Sequence, residues 1–319
     1  MPRSIRESSF VDPPPVRGTG QEHASRTRRV LSRLVRRPAS RVGLVILATL
    51  VLGAAIGPVL APQSPYLQDL DHRLVPPGDG HLLGTDEFGR DILSRLLYGT
   101  RISLTIGMVS VGIGLLAGGL LGLVTGYLGG RVDMIGMRVV DVLLAFPGIL
   151  LAVVIVAILG PSLTNAMIAV GIVGVPHFAR LLRGAVLSVK SQPFVEAQVA
   201  MGVPRGRILF RTILPHCVAP LMVQTSLGLA SAILEAAGLS FLGLGAQPPT
   251  PEWGAMLGQG RDLVIHAPWV LAMPGIAILL SVLGFNLVGD GIRDALDPAL
   301  EGIFGPERGR GLWTKGRQL

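Results

Sequence analysis

The ionisable residues in or beside long apolar stretches are the first candidates for chemistry in this 319-residue chain. Glu235, Asp141 and His177 are candidates for lining or gating a path across a membrane, because ionisable groups in hydrocarbon are costly and are usually retained for function. For Asp141 a structural role is favoured, since a carboxylate at a helix end can reach water. His177 is likewise more typical of a packed histidine held by a hydrogen bond. For Glu235 both interpretations stay open.

The residue patterns required for an enzyme are not evident. We find no nucleophile paired with a base. The histidines His72 and His81 lack the spacing of metal ligands. A phosphate-binding loop needs Gly-Lys followed by Ser or Thr, whereas Lys190 and Lys315 follow Val and Thr. We therefore assign no catalytic residue, no metal and no cofactor to this chain.

The composition is typical of a membrane protein. Half of the residues are hydrophobic and only 15% are charged. The first 41 residues, 1–41, carry ten arginines and predict a disordered cytoplasmic tail held near anionic lipid. Nucleic-acid binding is disfavoured because Phe10 is the only aromatic residue among these arginines. Cys217 is the single cysteine, so an intrachain disulfide is excluded.

The uncharged windows predict an all-α polytopic membrane protein with six transmembrane helices. The predicted spans are 42–61, 102–130, 139–160 with a kink at Pro147, 163–182, 213–234 and 267–288. They divide the chain into a first helix, an extracytoplasmic segment at 62–100 with an interfacial helix, a five-helix core at 101–290 and a cytoplasmic tail at 291–319. The distribution of Lys and Arg places both termini in the cytoplasm.

A ridge of small residues follows one face of the second predicted span. Gly114, Gly118, Gly122 and Gly126 recur every four residues, which predicts close helix packing rather than chemistry.

The segment 183–212 is the most distinctive part of the chain, because it is basic and amphipathic between two spans. Pro193 suits the first turn of a short helix capped by Ser191, and Phe194 begins its apolar stripe. Gly202 predicts a left-handed end to that helix, and Pro204 can open a second short helix. The pattern indicates a knob on the membrane surface that fits a groove in a partner protein.

The same segment resembles the "EAA" loop of permease subunits of ATP-binding-cassette importers. The resemblance rests on Glu196, Ala197, Gly202, Leu214 and Pro215. Two positions depart from that pattern: Gln198 replaces Ala, and Thr212 stands where Ile is frequent.

Three further stretches resemble one permease subunit of the dipeptide, oligopeptide and nickel importer group. They read HLLGTDEFGRDILSRLLYGTRISL from His81, EAAGLSFLGLGAQPPTPEWGAML from Glu235 and NLVGDGIRDALDP from Asn286. Four matches in the same order are far more specific than one.

The resemblance implies a type I importer permease in a bacterial or archaeal plasma membrane. Its implied partners are a sister permease, one or two ATPase subunits that hold ATP and Mg, and an extracytoplasmic substrate-binding protein. Peptides are the leading substrate, with nickel or another small solute as the alternative. An ion-coupled secondary transporter is the alternative from another class, but it predicts mid-span charges and two related halves. Neither is evident here.

Overall fold

Helices are the main regular secondary structure in the part of the chain that the structure describes. The computed structural model describes residues 34–35, 37–78 and 80–296, and within them only isolated β-bridges occur, at Gly78–His81 and Thr85–Asp91. The helices are α1 (Pro38–Leu60), α2 (Ile92–Leu128), α3 (Gly130–Leu144), α4 (Gly148–Leu159), α5 (Leu163–Lys190), α6 (Pro193–Ala200), α7 (Arg205–Phe241), α8 (Trp253–Gly260) and α9 (Trp269–Leu296). The predicted all-α class is confirmed.

Helices α2 and α5 pack in parallel, and this decides the number of membrane crossings. A Cβ added to Gly114 would meet Gly171, and one added to Gly126 would meet Val186, so contacts advance in the same direction along both helices. Within the described residues, five helices are long and apolar enough to cross a membrane, namely α1, α2, α5, α7 and α9. Because α2 and α5 run the same way, the bent pair α3–α4 must return the chain across the membrane. This gives six crossings in the part of the chain that the structure describes.

The third span differs from the single kinked helix predicted for 139–160. Helix α3 ends at Leu144 and α4 begins after Pro147, with an angle of 90° between them. Pro147 lacks an N–H donor and disfavours helical geometry in the preceding residue, so the helix breaks here instead of bending gently. Asp133 accepts hydrogen bonds from Nε and Nη2 of Arg183, at 2.5 and 2.7 Å, and thereby holds α3 against α5.

The interfacial helix expected within 62–100 is also corrected. Its apolar and basic residues instead form the loop before α2 and the first turns of α2, which continues without interruption to Leu128. Asp91 caps the helix by accepting a hydrogen bond from Ser94 N at 2.8 Å. Arg90 and Arg95 are buried and lie 2.6 and 3.6 Å from the Asp86 carboxylate, so they face a buried partner and not lipid headgroups.

The two ends of the described chain lie on the same side of the helical bundle. Arg37, just before α1, forms an ion pair with Asp294 near the end of α9. Helix α1 begins at Pro38 and α9 ends at Leu296, so helices extend into both predicted tails. The remainder of those tails, including most of the arginine-rich 1–41 segment, lies outside the described residues.

Candidate functional site

Within the knob at 183–212, the short helix α6 is held against the bundle by the buried side chain of Val195. Val195 on α6 is only 2% exposed and packs in a cluster with Leu182, Ile208 and Ile213. Pro193 occupies the first turn of α6, as predicted. The predicted cap is wrong: Gln192 stands at the N-cap position, and the Ser191 hydroxyl donates to Ser188 O at 3.1 Å.

Gly202 ends the short helix in the left-handed conformation, with φ +72°. Its N–H donates to Val199 O at 3.0 Å, and Val203 N–H donates to Gln198 O at 3.1 Å, which closes the last turn. The predicted second short helix is not separate. The chain re-enters a helix at Arg205 and continues as the 37-residue α7, so the knob is joined rigidly to a membrane span.

The outer surface of the knob is apolar and uncovered in this chain. Phe194, Val199 and Met201 are 42% to 71% exposed, and Glu196 and Ala197 are exposed beside them. An uncovered apolar surface of this kind is typical of a protein interface.

The start of α7 contributes to the same surface. The ring of Phe194 lies 5.5 Å from the ring of His216, centroid to centroid. His216 follows Pro215, which is exposed, and Leu214, which is half-buried. The fold therefore brings the Glu196 region beside the Leu214–Pro215 region, which is about twenty residues away in sequence.

The two departures from the EAA pattern are in contact with each other. Thr212 Oγ1 donates a hydrogen bond to Gln198 Oε1 at 2.9 Å, which links α6 to α7. Thr212 lies in a π-helical stretch, Ile208–Ile213, and such stretches are frequent at functional sites. Sequence reasoning missed this link, because the two residues are separated by a turn whose path the local pattern does not reveal.

A cavity of about 220 Å³ lies between α2, α5 and α7 and contains two of the three path candidates. His177 reaches it from α5 and Glu235 from α7, together with the polar side chains of Ser110, Gln224 and Ser231. Glu235 lies inside α7, six residues before its end. The third candidate, Asp141, is instead exposed and forms an ion pair with Arg180 at 3.0 Å.

The glycine ridge lies along the contact between α2 and α5. A Cβ at Gly118 would overlap Val175 O, and one at Gly122 would overlap Ala179 O. The backbones of the two helices therefore touch here, which is possible only without side chains.

A polar cluster on the opposite side of the bundle from the knob includes Glu252, which sequence reasoning did not single out. Its carboxylate accepts hydrogen bonds from Gly254 N and Ala255 N, at 2.9 and 2.8 Å, and caps α8. Burial raises the pKa of Glu252, and these backbone hydrogen bonds oppose the rise.

At the exposed Asp69, a hydrogen bond from His72 lowers the carboxyl pKa. Among the described residues, no group of three His, Cys, Asp or Glu side chains is arranged to hold a metal.

The comparisons with known proteins decide the family. Residues 118–302, more than half of the chain, match the family described as the binding-protein-dependent transport system inner membrane component. The chain belongs to this family. Residues 25–77 of the permease also match the N-terminal transmembrane domain of oligopeptide transport permease C. Membership confirms the predicted importer permease and disfavours the ion-coupled alternative.

Three curated relatives are similar over most of their length. The dipeptide transport system permease protein DppC of Alkalihalophilus pseudofirmus is 49% identical over 86% of this chain and 90% of its own. The di/tripeptide permease protein of Pseudomonas aeruginosa is 51% identical, covering 81% and 88%. The dipeptide permease protein of Escherichia coli is 53% identical, covering 82% and 89%.

A solved structure confirms the fold. An inward-facing structure of the MetNI methionine ABC transporter matches 63% of this chain and 96% of the compared chain, with a TM-score of 0.52 and 20% identity. At that identity the match shows the fold alone, and it is the predicted type I importer fold.

Proposed function

We propose that this permease is one of two membrane subunits of an ATP-driven importer for dipeptides and other short peptides. The observation that carries the proposal is the 49% to 53% identity, over more than four fifths of the chain, to permeases named for dipeptide or di/tripeptide transport. The sister permease supplies the other half of the path, and an extracytoplasmic binding protein delivers the peptide.

Energy reaches this chain through the knob. Separate ATPase subunits bind ATP and Mg, and Phe194, Glu196 and Ala197 dock in their groove. The exposed apolar surface of α6 and its direct connection to α7 support this role. Gly202, Leu214 and Pro215 hold the shape of the docking surface. The knob and both chain ends are cytoplasmic in this arrangement, and the loop before α2 faces outward.

Uptake in proteoliposomes tests the function. The permease is reconstituted with its sister permease, ATPases and binding protein, and uptake of ¹⁴C-labelled L-alanyl-L-alanine is measured with ATP present. We expect ATP-dependent uptake that excess unlabelled dipeptide abolishes. Uptake of ⁶³Ni²⁺ without dipeptide uptake would favour the nickel alternative.

The isolated chain provides a control for the energy source. Purified alone in lipid, it should hydrolyse no ATP, because its sequence lacks a phosphate-binding lysine motif. Robust hydrolysis by a preparation free of other subunits would contradict the assignment of ATP to partner subunits.

A further inference from the structure

Glu235 differs from the acidic residues of the bundle that form ion pairs with arginine. Asp133 and Asp141 are paired with Arg183 and Arg180. No described residue supplies a hydrogen bond or an opposite charge to the Glu235 carboxylate. A carboxylate in a partly buried, low-dielectric place strongly favours a cationic partner.

The surroundings of Glu235 are suited to a polar solute. The cavity of about 220 Å³ opens at the protein surface, where His177 and Ser231 are exposed. Gln224 lines it eleven residues before Glu235, which corresponds to about 16 Å along α7 at 1.5 Å per residue. An extended peptide spans at most about 3.6 Å per residue, so a dipeptide or tripeptide fits along this wall.

We propose that Glu235 binds the α-ammonium group of the peptide as it passes through the permease, an inference that rests on the proposed function. Every unmodified peptide has this group, whatever its side chains. A single carboxylate can therefore orient many different peptides while the other cavity walls make no demand on the side chains. The ring of His177, which lines the same cavity, offers a hydrogen bond to the rest of the peptide backbone.

The test compares E235Q, E235D and L234A in the reconstituted complex. Leu234 provides the control, because it is the neighbour of Glu235 on α7, is 56% exposed and does not line the cavity. Uptake of ¹⁴C-labelled L-alanyl-L-alanine is measured as a function of the concentration of peptide-loaded binding protein. Complex assembly and ATP hydrolysis are measured on the same preparations. Glutamine keeps the shape of the side chain and removes its charge.

We expect E235Q to lower the maximal uptake rate by about tenfold to a hundredfold, the range for loss of a hydrogen bond to a charged group. The concentration of loaded binding protein at half-maximal uptake should not change, because docking occurs outside the cavity. E235D should restore much of the rate, and L234A should stay within about twofold of the unmodified protein, as for a surface change.

Three results would overturn the inference. They are unchanged uptake by E235Q, an equal loss in E235Q and L234A, and failure of E235Q to assemble, which would assign Glu235 a structural role. Absence of dipeptide uptake by the unmodified complex would instead refute the proposed function, so the two failures are distinguishable.

Discussion

Thr212 and Gln198 are hydrogen-bonded to each other, with Thr212 Oγ1 2.9 Å from Gln198 Oε1. These are the two residues at which the knob departs from the EAA pattern. Each polar side chain thus supplies the partner that the other requires when it is partly buried. The two departures act as one connection between the docking helix α6 and the membrane helix α7.

The first prediction concerns this connection. Gln198→Ala or Thr212→Ile alone should weaken ATPase retention, since a partly buried hydrogen bond contributes about 1 kcal/mol, or roughly a fivefold change in affinity. The double variant Gln198→Ala/Thr212→Ile should lose less than the two single effects added together. The coupling is measured by co-purification of the ATPase with the unmodified permease, the two single variants and the double variant, at matched membrane abundance. Additive losses would show that the hydrogen bond does not link the two helices.

The second prediction concerns the end of α6. Gly202→Val should abolish uptake and reduce ATPase retention while the permease remains inserted, because φ +72° is strongly disfavoured for a β-branched residue. A Cβ at Gly202 meets nothing within 4 Å, so the penalty is conformational rather than steric. Gly202→Asn should be milder, since Asn tolerates the left-handed region.

Gly206 provides the matched control for Gly202. A Cβ there also meets nothing within 4 Å, but the residue lies in a helix without a positive φ. Gly206→Ala should therefore retain uptake. Glu196→Ala should lower uptake less than Gly202→Val, because an exposed carboxylate contributes little to binding. Normal uptake by Gly202→Val would show that the knob does not transmit the ATPase motion.

The third prediction concerns the contact between α2 and α5. Gly122→Val should lower the thermal stability of the purified permease, because its side chain would overlap Ala179 O. Overpacking of this kind costs about 1–3 kcal/mol. Gly112→Ala on the same helix should be neutral, since a Cβ there meets nothing within 4 Å. Melting curves in one detergent compare the two variants with the unmodified permease, and equal stability of Gly122→Val would contradict the close contact between α2 and α5.

The fourth prediction concerns the orientation of the chain. In a Cys217→Ser background, a cysteine at Leu82 should react with an impermeant maleimide in intact cells, because this residue is 73% exposed in the loop that the proposed orientation places outside. A cysteine at Ser191, exposed beside the knob, should react only after permeabilisation. Labelling of Ser191→Cys in sealed cells would reverse the proposed orientation.

The sequence alone was sufficient for features that depend on neighbouring residues. Uncharged windows located the five long spans, because hydropathy is a property of local composition. Gly202 was predicted as a left-handed terminator, since only backbone preference and the following Pro204 were needed. The glycines from Gly114 to Gly126 were predicted to pack against a helix, but the sequence did not say which one.

The tertiary structure decided what depends on distant residues. Arg90 and Arg95 have a spacing that suits a membrane surface, yet both lie beside the buried Asp86 carboxylate, and a local charge pattern cannot distinguish the two surroundings. His177 and Glu235 are 58 residues apart and share a cavity only because α5 and α7 pack around it. That arrangement depends on how α2, α5 and α7 pack together, which is a property of helix packing and not of any single segment.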